Sequence, residues 1–265
     1  MASVPEAVVT ALVSSGFPFQ TAIAATVPQA VDWKVLDEEF PWQDTAGADR
    51  FLDIAAGNEA LFVGLECKKS QTENFIFLQP DARTGRAQRV RCPYLTQIRD
   101  STRRIEVAFA EWFFEPESVE SAFCVVTTSD KGRDQRLLER DAQLLVRGTD
   151  AYALFRKRAF KPTAQWEPDR PCVPVLVTNA PLFVAKYSPA AVSLESGQFA
   201  LPPEAEIESV EWVRFAKPFT SHRNRDVGFR TVFVVRATAL VRFLEAIALT
   251  GSGPSGRGRV YLPFD

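Results

Sequence analysis

Residues 50–68, RFLDIAAGNEALFVGLECK, decide how this chain folds. Two largely apolar runs, Arg50–Ala55 and Leu61–Lys68, are separated by a short segment that contains Gly57 and Asn58. Glycine and asparagine readily adopt the backbone conformations of tight turns, so the two runs are predicted to be neighbouring strands. We therefore expect an antiparallel hairpin at this point of the chain.

Three charged side chains are distributed along this hairpin in the pattern Asp-x12-Glu-x-Lys, formed by Asp53, Glu66 and Lys68. Side chains alternate across a strand, so Glu66 and Lys68 share a face, and the hairpin can bring Asp53 beside them. Two adjacent carboxylates repel each other unless a cation lies between them, and such oxygen ligands suit Mg²⁺ or Mn²⁺ rather than zinc. A lysine beside them can act on an attacking water or stabilise charge on a phosphate. The pattern therefore favours phosphodiester hydrolysis, and a solvated Glu/Lys pair at a strand edge is the alternative.

The rest of the chain mixes helix and strand patterns. Helical spacing of apolar residues occurs at 5–15, 134–157 and 240–249. Strand patterns occur at 30–40, 74–79, 122–128, 173–187 (two strands around a bend), 209–215 and 231–235, and 105–114 fits either a strand or a helix start. This order predicts a mixed α/β fold.

The 265 residues are predicted to form one domain with elaborations. Composition changes at 161–174 and at 188–205, but neither stretch is long or polar enough to act as a free linker. A domain boundary near 161–171 is the alternative.

Composition excludes several classes of function. The formal net charge of -2 gives no global attraction to polyanions, so a nucleic-acid site has to be a local patch. The single histidine, His222, excludes a multi-histidine metal site, and four cysteines without a CxxC pair indicate neither a zinc ribbon nor a disulfide framework. The first residues lack the basic region of a signal peptide, and no run approaches the roughly 20 apolar residues of a membrane span. We therefore expect a cytoplasmic protein with no membrane partner.

Around the Asp-x12-Glu-x-Lys pattern the sequence resembles the PD-(D/E)XK nuclease superfamily, which includes restriction endonucleases and archaeal Holliday-junction resolvases. The resemblance covers roughly residues 5–70 and rests on a helix with an early acid, a strand, a loop, and the segments 51–55 and 65–68. It implies a restriction endonuclease-like central mixed sheet flanked by helices, with a strand-rich C-terminal elaboration. In that superfamily a helix follows the Glu-x-Lys strand closely, whereas about 65 residues separate Lys68 from the helix predicted at 134–157.

The resemblance also implies the roles of individual residues. Asp53, Glu66 and Lys68 would be the catalytic residues of a nuclease that depends on Mg²⁺ or Mn²⁺. Its substrate would be nucleic acid, and DNA is expected rather than RNA. Asp53, Glu66 and the backbone carbonyl of Cys67 would bind the metal. The alternative is an inactive nuclease-fold module that binds without cleaving, and either form is compatible with a dimer.

Several further residues are candidates for the same site. Glu6 resembles a metal-binding acid carried on the first helix, although an acid in a first turn also suits the helix dipole. Gln71 resembles a glutamine that follows the lysine in some relatives. Glu38 and Glu39 are predicted to form a solvated face.

Arginines crowd the stretch after the hairpin, where guanidinium groups are suited to phosphate. The candidates for contact with a nucleic-acid backbone are Arg83, Arg86, Arg89, Arg91, Arg103 and Arg104. We expect this stretch on the same side of the molecule as Glu66. The alternative is that these arginines reflect the composition of the chain and have no binding role, because arginine outnumbers lysine throughout.

Overall fold

The computed structural model describes residues 5–70, 73–81, 89–97, 105–127, 137–159, 169–197, 206–220, 227–249 and 255–261. Its helices are α1 (Glu6–Ser14), α2 (Phe17–Thr26), α3 (Leu137–Ala159) and α4 (Leu240–Ala246). Its strands are β1 (Lys34–Gln43), β2 (Asp49–Gly57), β3 (Phe62–Lys68), β4 (Phe75–Pro80), β5 (Arg89–Gln97), β6 (Ile105–Glu115), β7 (Glu120–Ser121), β8 (Phe123–Val126), β9 (Arg170–Thr178), β10 (Leu182–Tyr187), β11 (Glu206–Val210), β12 (Trp212–Thr220), β13 (Val227–Arg236), β14 (Ala248–Leu249) and β15 (Ser255–Tyr261). The chain therefore has a mixed α/β fold, which confirms the class predicted from the sequence.

The hairpin of β2 and β3 forms as the sequence predicts. Gly57 pairs with Phe62 and Ile54 with Leu65 in an antiparallel register. The turn between them is closed by Asn58, whose side-chain oxygen accepts hydrogen bonds from the backbone N–H groups of Ala60 at 2.9 Å and of Leu61 at 3.0 Å. An asparagine that bonds its own backbone two residues on is a common way to stabilise a reversal.

The strand β1 extends this hairpin to a three-stranded antiparallel meander. It pairs with β2, and its register shifts between Val35 and Asp37. Glu39 lies inside β1 with a φ of 52°, in the left-handed region that non-glycine residues rarely occupy. The meander thus carries a local distortion in the strand next to Asp53.

Helix α3 and strand β9 complete the centre of the larger sheet. Strand β9 runs parallel to β3, with Lys68 beside Thr178, and α3 packs against both strands. A parallel pair needs a long crossover connection, and α3 lies within it. The close approach of helix and sheet depends on Gly64 of β3, because a Cβ atom there would lie 2.5 Å from Thr149 Oγ1 of α3.

Two sheets make up the described part of the chain. The larger has the order β1-β2-β3-β9-β13-β12-β7, with β5 and β6 joined beside β9 and with β14 and β15 paired to β6. The smaller has the order β11-β10-β4-β8. Strand β9, which begins at Arg170 within the candidate boundary at 161–171, pairs with β3 before that stretch, so the larger sheet contains strands from both sides of it.

The hydrophobic core lies on both faces of the larger sheet. One cluster joins α2 and α4 to residues such as Ile54 and Val175, and a second joins α3 to residues such as Leu52 and Leu176. Neighbouring residues of one strand thus enter opposite clusters, as the alternation of side chains requires. The charged residues Asp53, Glu66 and Lys68, on β2 and β3 of this sheet, consequently lie beside a densely packed interior.

Most of the predicted elements are present and one choice is settled, but the sequence patterns did not indicate the strands β5, β7, β14 and β15. Residues 105–114, which fit either class, form strand β6, and the predicted helix at 5–15 is α1. The sequence patterns did not indicate α2, which follows α1 directly. Within the described residues no single helix is long and apolar enough to cross a membrane, although the bent pair Glu6–Ser14 and Phe17–Gln29 together meets that test of length and composition.

Candidate functional site

Asp53 and Glu66 lie opposite each other on β2 and β3. The last paired residues before them are Ile54 and Leu65, so Asp53 and Glu66 come next along the two strands. The side chain of Asp53 continues the strand pairing there, because its Oδ2 accepts a hydrogen bond from the backbone N–H of Cys67 at 2.7 Å. Asp53 is thereby held against the end of the Glu66 strand.

Lys68 is directed to a carboxylate on the crossover helix. Its Nζ lies 2.6 Å from Oδ2 of Asp141, which is in the second turn of α3. The Asp141 side chain is only 9% exposed and that of Lys68 is 28% exposed. A nearly buried aspartate, which also lies 3.6 Å from the exposed guanidinium group of Arg140, is thus added to the residues predicted from the sequence.

Two residues from the N-terminal segment approach Asp53 from the other side. Gln20 of α2 donates from Nε2 to Oε1 of Glu39, and to the backbone carbonyl of Asp53 at 3.3 Å. Glu39 is exposed, as the solvated face predicted for it requires, but its charge also acts on Asp53 and Glu66. We call the four acids Glu39, Asp53, Glu66 and Asp141, which surround Lys68, the acidic corner.

The electrostatics of the acidic corner disfavour simultaneous ionisation of its members. Burial, followed by the charges of Asp53 and Asp141, raises the pKa of Glu66 from 4.5 to about 8. Burial also raises the pKa of Asp53 from 3.8 to about 6, against the lowering effect of the Cys67 N–H bond. The positive charge of Lys68 acts in the opposite direction and lowers the pKa of both Asp53 and Glu66. One lysine therefore does not compensate the negative charge that this corner would carry when ionised.

A divalent cation suits the chemistry of these donors. The described residues contain no set of three or more His, Cys, Asp or Glu side chains arranged to hold a metal. Asp53 and Glu66 still offer two carboxylates, and Mg²⁺ is often bound by one or two carboxylates, with waters and substrate phosphates as its other ligands. The donor set fits Mg²⁺ or Mn²⁺ on these grounds, and the Cys67 carbonyl as a third ligand stays a prediction.

The other predicted site residues are not brought to the acidic corner by the described part of the structure. Glu6 is exposed in the first turn of α1, and the residue that reaches Asp53 from the helical segment is Gln20. Lys69 instead connects α1 to the end of β3, since its Nζ donates to the carbonyls of Val13 and Ser15. Gln71 lies outside the described residues.

The arginine stretch is only partly described. Arg83, Arg86, Arg103 and Arg104 lie outside the described residues, and of Arg89 only the backbone, in β5, is described. Arg91, also in β5, donates from its backbone N–H to Thr231 Oγ1 at 3.3 Å, and its charge acts on Arg230 of β13. The expectation that this stretch lies on the side of Glu66 therefore stays a prediction.

Two contributors to the acidic corner were missed in the sequence, and one of them had a detectable signal. Asp141 lies three residues after Leu138 and one before Ala142, on the apolar face of the predicted helix. An acid on an apolar helix face needs a partner, because an unpaired buried charge is costly. Gln20 had no such signal, since its segment carried no element prediction.

Comparison with known proteins identifies no relative of this chain. No protein-family model, curated protein or solved structure matches it.

Proposed function

We propose that this protein is a metal-dependent nuclease that hydrolyses phosphodiester bonds in nucleic acid, with DNA as the expected substrate. The observation that carries the proposal is the acidic corner itself. Asp53 and Glu66 lie side by side where the pairing of β2 and β3 stops, with raised pKa values and with Lys68 and the exposed Arg140 facing four acids. Perturbed acids of this kind are concentrated at functional sites, because a bound cation or a substrate relieves their repulsion.

The order of elements supports the same proposal. The resemblance to the PD-(D/E)XK superfamily left the second half of the core without an assignment, because no helix follows Lys68 closely. Helix α3 supplies a helix that packs on β3, and β9 then pairs parallel to β3. Strands β4 to β8 come between β3 and α3, so they belong to the long insertion that the sequence indicated.

Each residue has a defined part in the proposed hydrolysis. A bound Mg²⁺ or Mn²⁺ would polarise the phosphate and lower the pKa of a bound water. Asp53 and Glu66 would hold the cation in their ionised forms. Lys68 would donate a hydrogen bond to the attacking water or to a phosphate oxygen, where negative charge develops as the new O–P bond forms. The O–P bond to the leaving oxygen breaks, and that oxygen takes up a proton.

The test is a cleavage assay with linear, circular and single-stranded DNA and with RNA, in Mg²⁺, Mn²⁺ or EDTA. We expect cleavage that EDTA abolishes and that Asp53→Asn and Glu66→Gln each reduce by at least about 1000-fold, the order seen when an essential group of an active site is removed. Glu139→Gln is the matched control, because Glu139 is another α3 acid paired with a lysine, Lys217 of β12, outside the acidic corner. Cleavage that persists in EDTA, or that both acid variants retain, would show that the proposal is wrong.

The alternative is a nuclease fold that binds nucleic acid without cleaving it. The ion pair between Lys68 and Asp141 fits this alternative as well, because it stabilises the lysine without a substrate. Binding to DNA or RNA in a mobility-shift assay, without cleavage under any metal condition, would select it.

A further inference from the structure

The contact between Lys68 and Asp141 joins two rigid parts of the molecule. Lys68 ends β3, which is paired on both sides by β2 and β9. Asp141 lies on α3, a helix of 23 residues whose Thr149 closely approaches Gly64 of β3. Because helix and strand are fixed against each other, the Asp141 carboxylate has a fixed position relative to the end of β3.

That position decides where the lysine ammonium group lies. Lys68 has a long, flexible side chain and three other acids around it, and each of them would attract the ammonium group. Asp141 is the acid with which it forms a direct contact, at 2.6 Å, and this acid is nearly excluded from water. A carboxylate in such surroundings attracts an ammonium group more strongly than a carboxylate at the surface does.

We propose that Asp141 is a positioning residue for Lys68, and this inference rests on the proposed nuclease function. Asp141 touches neither substrate nor metal in this proposal. It holds the ammonium group of Lys68 beside the carboxylates of Asp53 and Glu66 while leaving two of its three N–H donors for a water or a phosphate oxygen. Without Asp141, the ammonium group of Lys68 would lose its fixed position beside these carboxylates and become more exposed to solvent.

The first measurement does not depend on activity. Amine acylation of the folded protein, followed by peptide mass spectrometry, compares the labelling rate of Lys68 with that of Lys217. In Asp141→Asn we expect labelling of Lys68 to rise about tenfold, as the loss of a charge-assisted hydrogen bond implies, with Lys217 unchanged. In Glu139→Gln the labelling of Lys217 should rise and that of Lys68 should stay unchanged, because Glu139 pairs with Lys217. Unchanged labelling of Lys68 in Asp141→Asn would overturn the inference.

The second measurement separates turnover from binding. For Asp141→Asn we expect kcat to fall by about 10- to 100-fold, the order that a misplacement of 1 Å can cost, with KM and Mn²⁺ affinity by calorimetry unchanged. Glu139→Gln should retain the kcat of the wild type. Asp141→Glu keeps the charge but moves it by one methylene group, so Lys68 should stay protected from acylation while kcat still falls.

The outcomes distinguish this inference from the proposed function. A wild-type protein that cleaves no substrate with any metal overturns the nuclease proposal. A wild type that cleaves, with full kcat in both Asp141→Asn and Asp141→Glu, overturns the positioning role alone. If Asp141→Asn has no cooperative thermal transition, Asp141→Glu decides the question, because it retains the ion pair.

Discussion

Two of the ion pairs that helix α3 makes with the larger sheet differ in the charge of their surroundings. Glu139 pairs with Lys217 of β12, and the Lys217 ammonium group also lies 5.6 Å and 5.5 Å from the ring centroids of Phe123 and Phe215. Asp141, two residues later, pairs with Lys68 beside three further acids.

The comparison separates a contact that helps to hold the fold from one that is suited to chemistry. One acid and one base with aromatic neighbours form a balanced local group, which needs nothing further to be stable. The acidic corner is unbalanced, because Lys68 and the exposed Arg140 face four acids and two of those acids have raised pKa values. Charge imbalance in a partly buried place costs folding free energy, and proteins accept such costs mainly at functional sites.

The largest effect on stability is expected where α3 meets β3. In Gly64→Ala the new Cβ atom would lie 2.5 Å from Thr149 Oγ1 and 3.4 Å from both methyl carbons of Leu52, so the Thr149 side chain or the helix that carries it must shift. We expect a loss of about 3 kcal/mol in the free energy of unfolding, measured with urea.

Gly197→Ala is not a neutral control, because Gly197 has a φ of 64°. Gly16→Ala is suitable, since nothing lies within 4 Å of the added atom. Equal stability of Gly64→Ala and the wild type would contradict the tight approach that fixes Asp141.

A smaller effect should distinguish the two lysines. Lys68→Met leaves Asp141, 9% exposed, with only the exposed Arg140, 3.6 Å away, as a cation, whereas Lys217→Met leaves Glu139, whose side chain is 25% exposed. We expect a loss of about 2 kcal/mol for Lys68→Met and about 1 kcal/mol or less for Lys217→Met in urea denaturation, because the more buried carboxylate loses more on becoming unpaired. The reverse order would show that the Lys217 pair contributes more to the fold.

A further effect concerns the pH dependence of stability in the absence of metal. The pKa of Glu66 is raised from 4.5 to about 8, so the folded state holds this proton more tightly than the unfolded state does. Stability should therefore fall as the pH rises between about 4.5 and about 8, with Asp53 adding to the lower part of this range. Glu66→Gln removes this titration, so its melting temperature should exceed that of the wild type at pH 8 and match it more closely at pH 5.

The control for this prediction is Glu139→Gln, which should leave the pH dependence of the wild type intact. Added Mg²⁺ should raise the melting temperature of the wild type at pH 8 and not that of Glu66→Gln, because a ligand stabilises only the state that binds it. A wild-type melting temperature that rises between pH 5 and pH 8 without metal would contradict the electrostatic account of the acidic corner.

The sequence by itself determined the local part of this site. Alternation of side chains places Glu66 and Lys68 on one face of a strand, and the turn at Gly57 and Asn58 sets the register that brings Asp53 opposite Glu66. These relations depend only on the two-residue period of a strand and on turn chemistry, both of which are encoded within 19 consecutive residues, 50–68.

Only the tertiary structure decided which groups complete the acidic corner. Asp141 reaches Lys68 because α3 crosses β3, and Gln20 reaches Asp53 because α2 packs beside the meander. The parallel pairing of β3 with β9 likewise joins segments separated by more than a hundred residues. Periodicity reports which face of an element is apolar, but it carries no information on which distant element covers that face. A charged residue on an apolar face, such as Asp141, therefore indicates that a partner is needed, and the packed fold supplies Lys68.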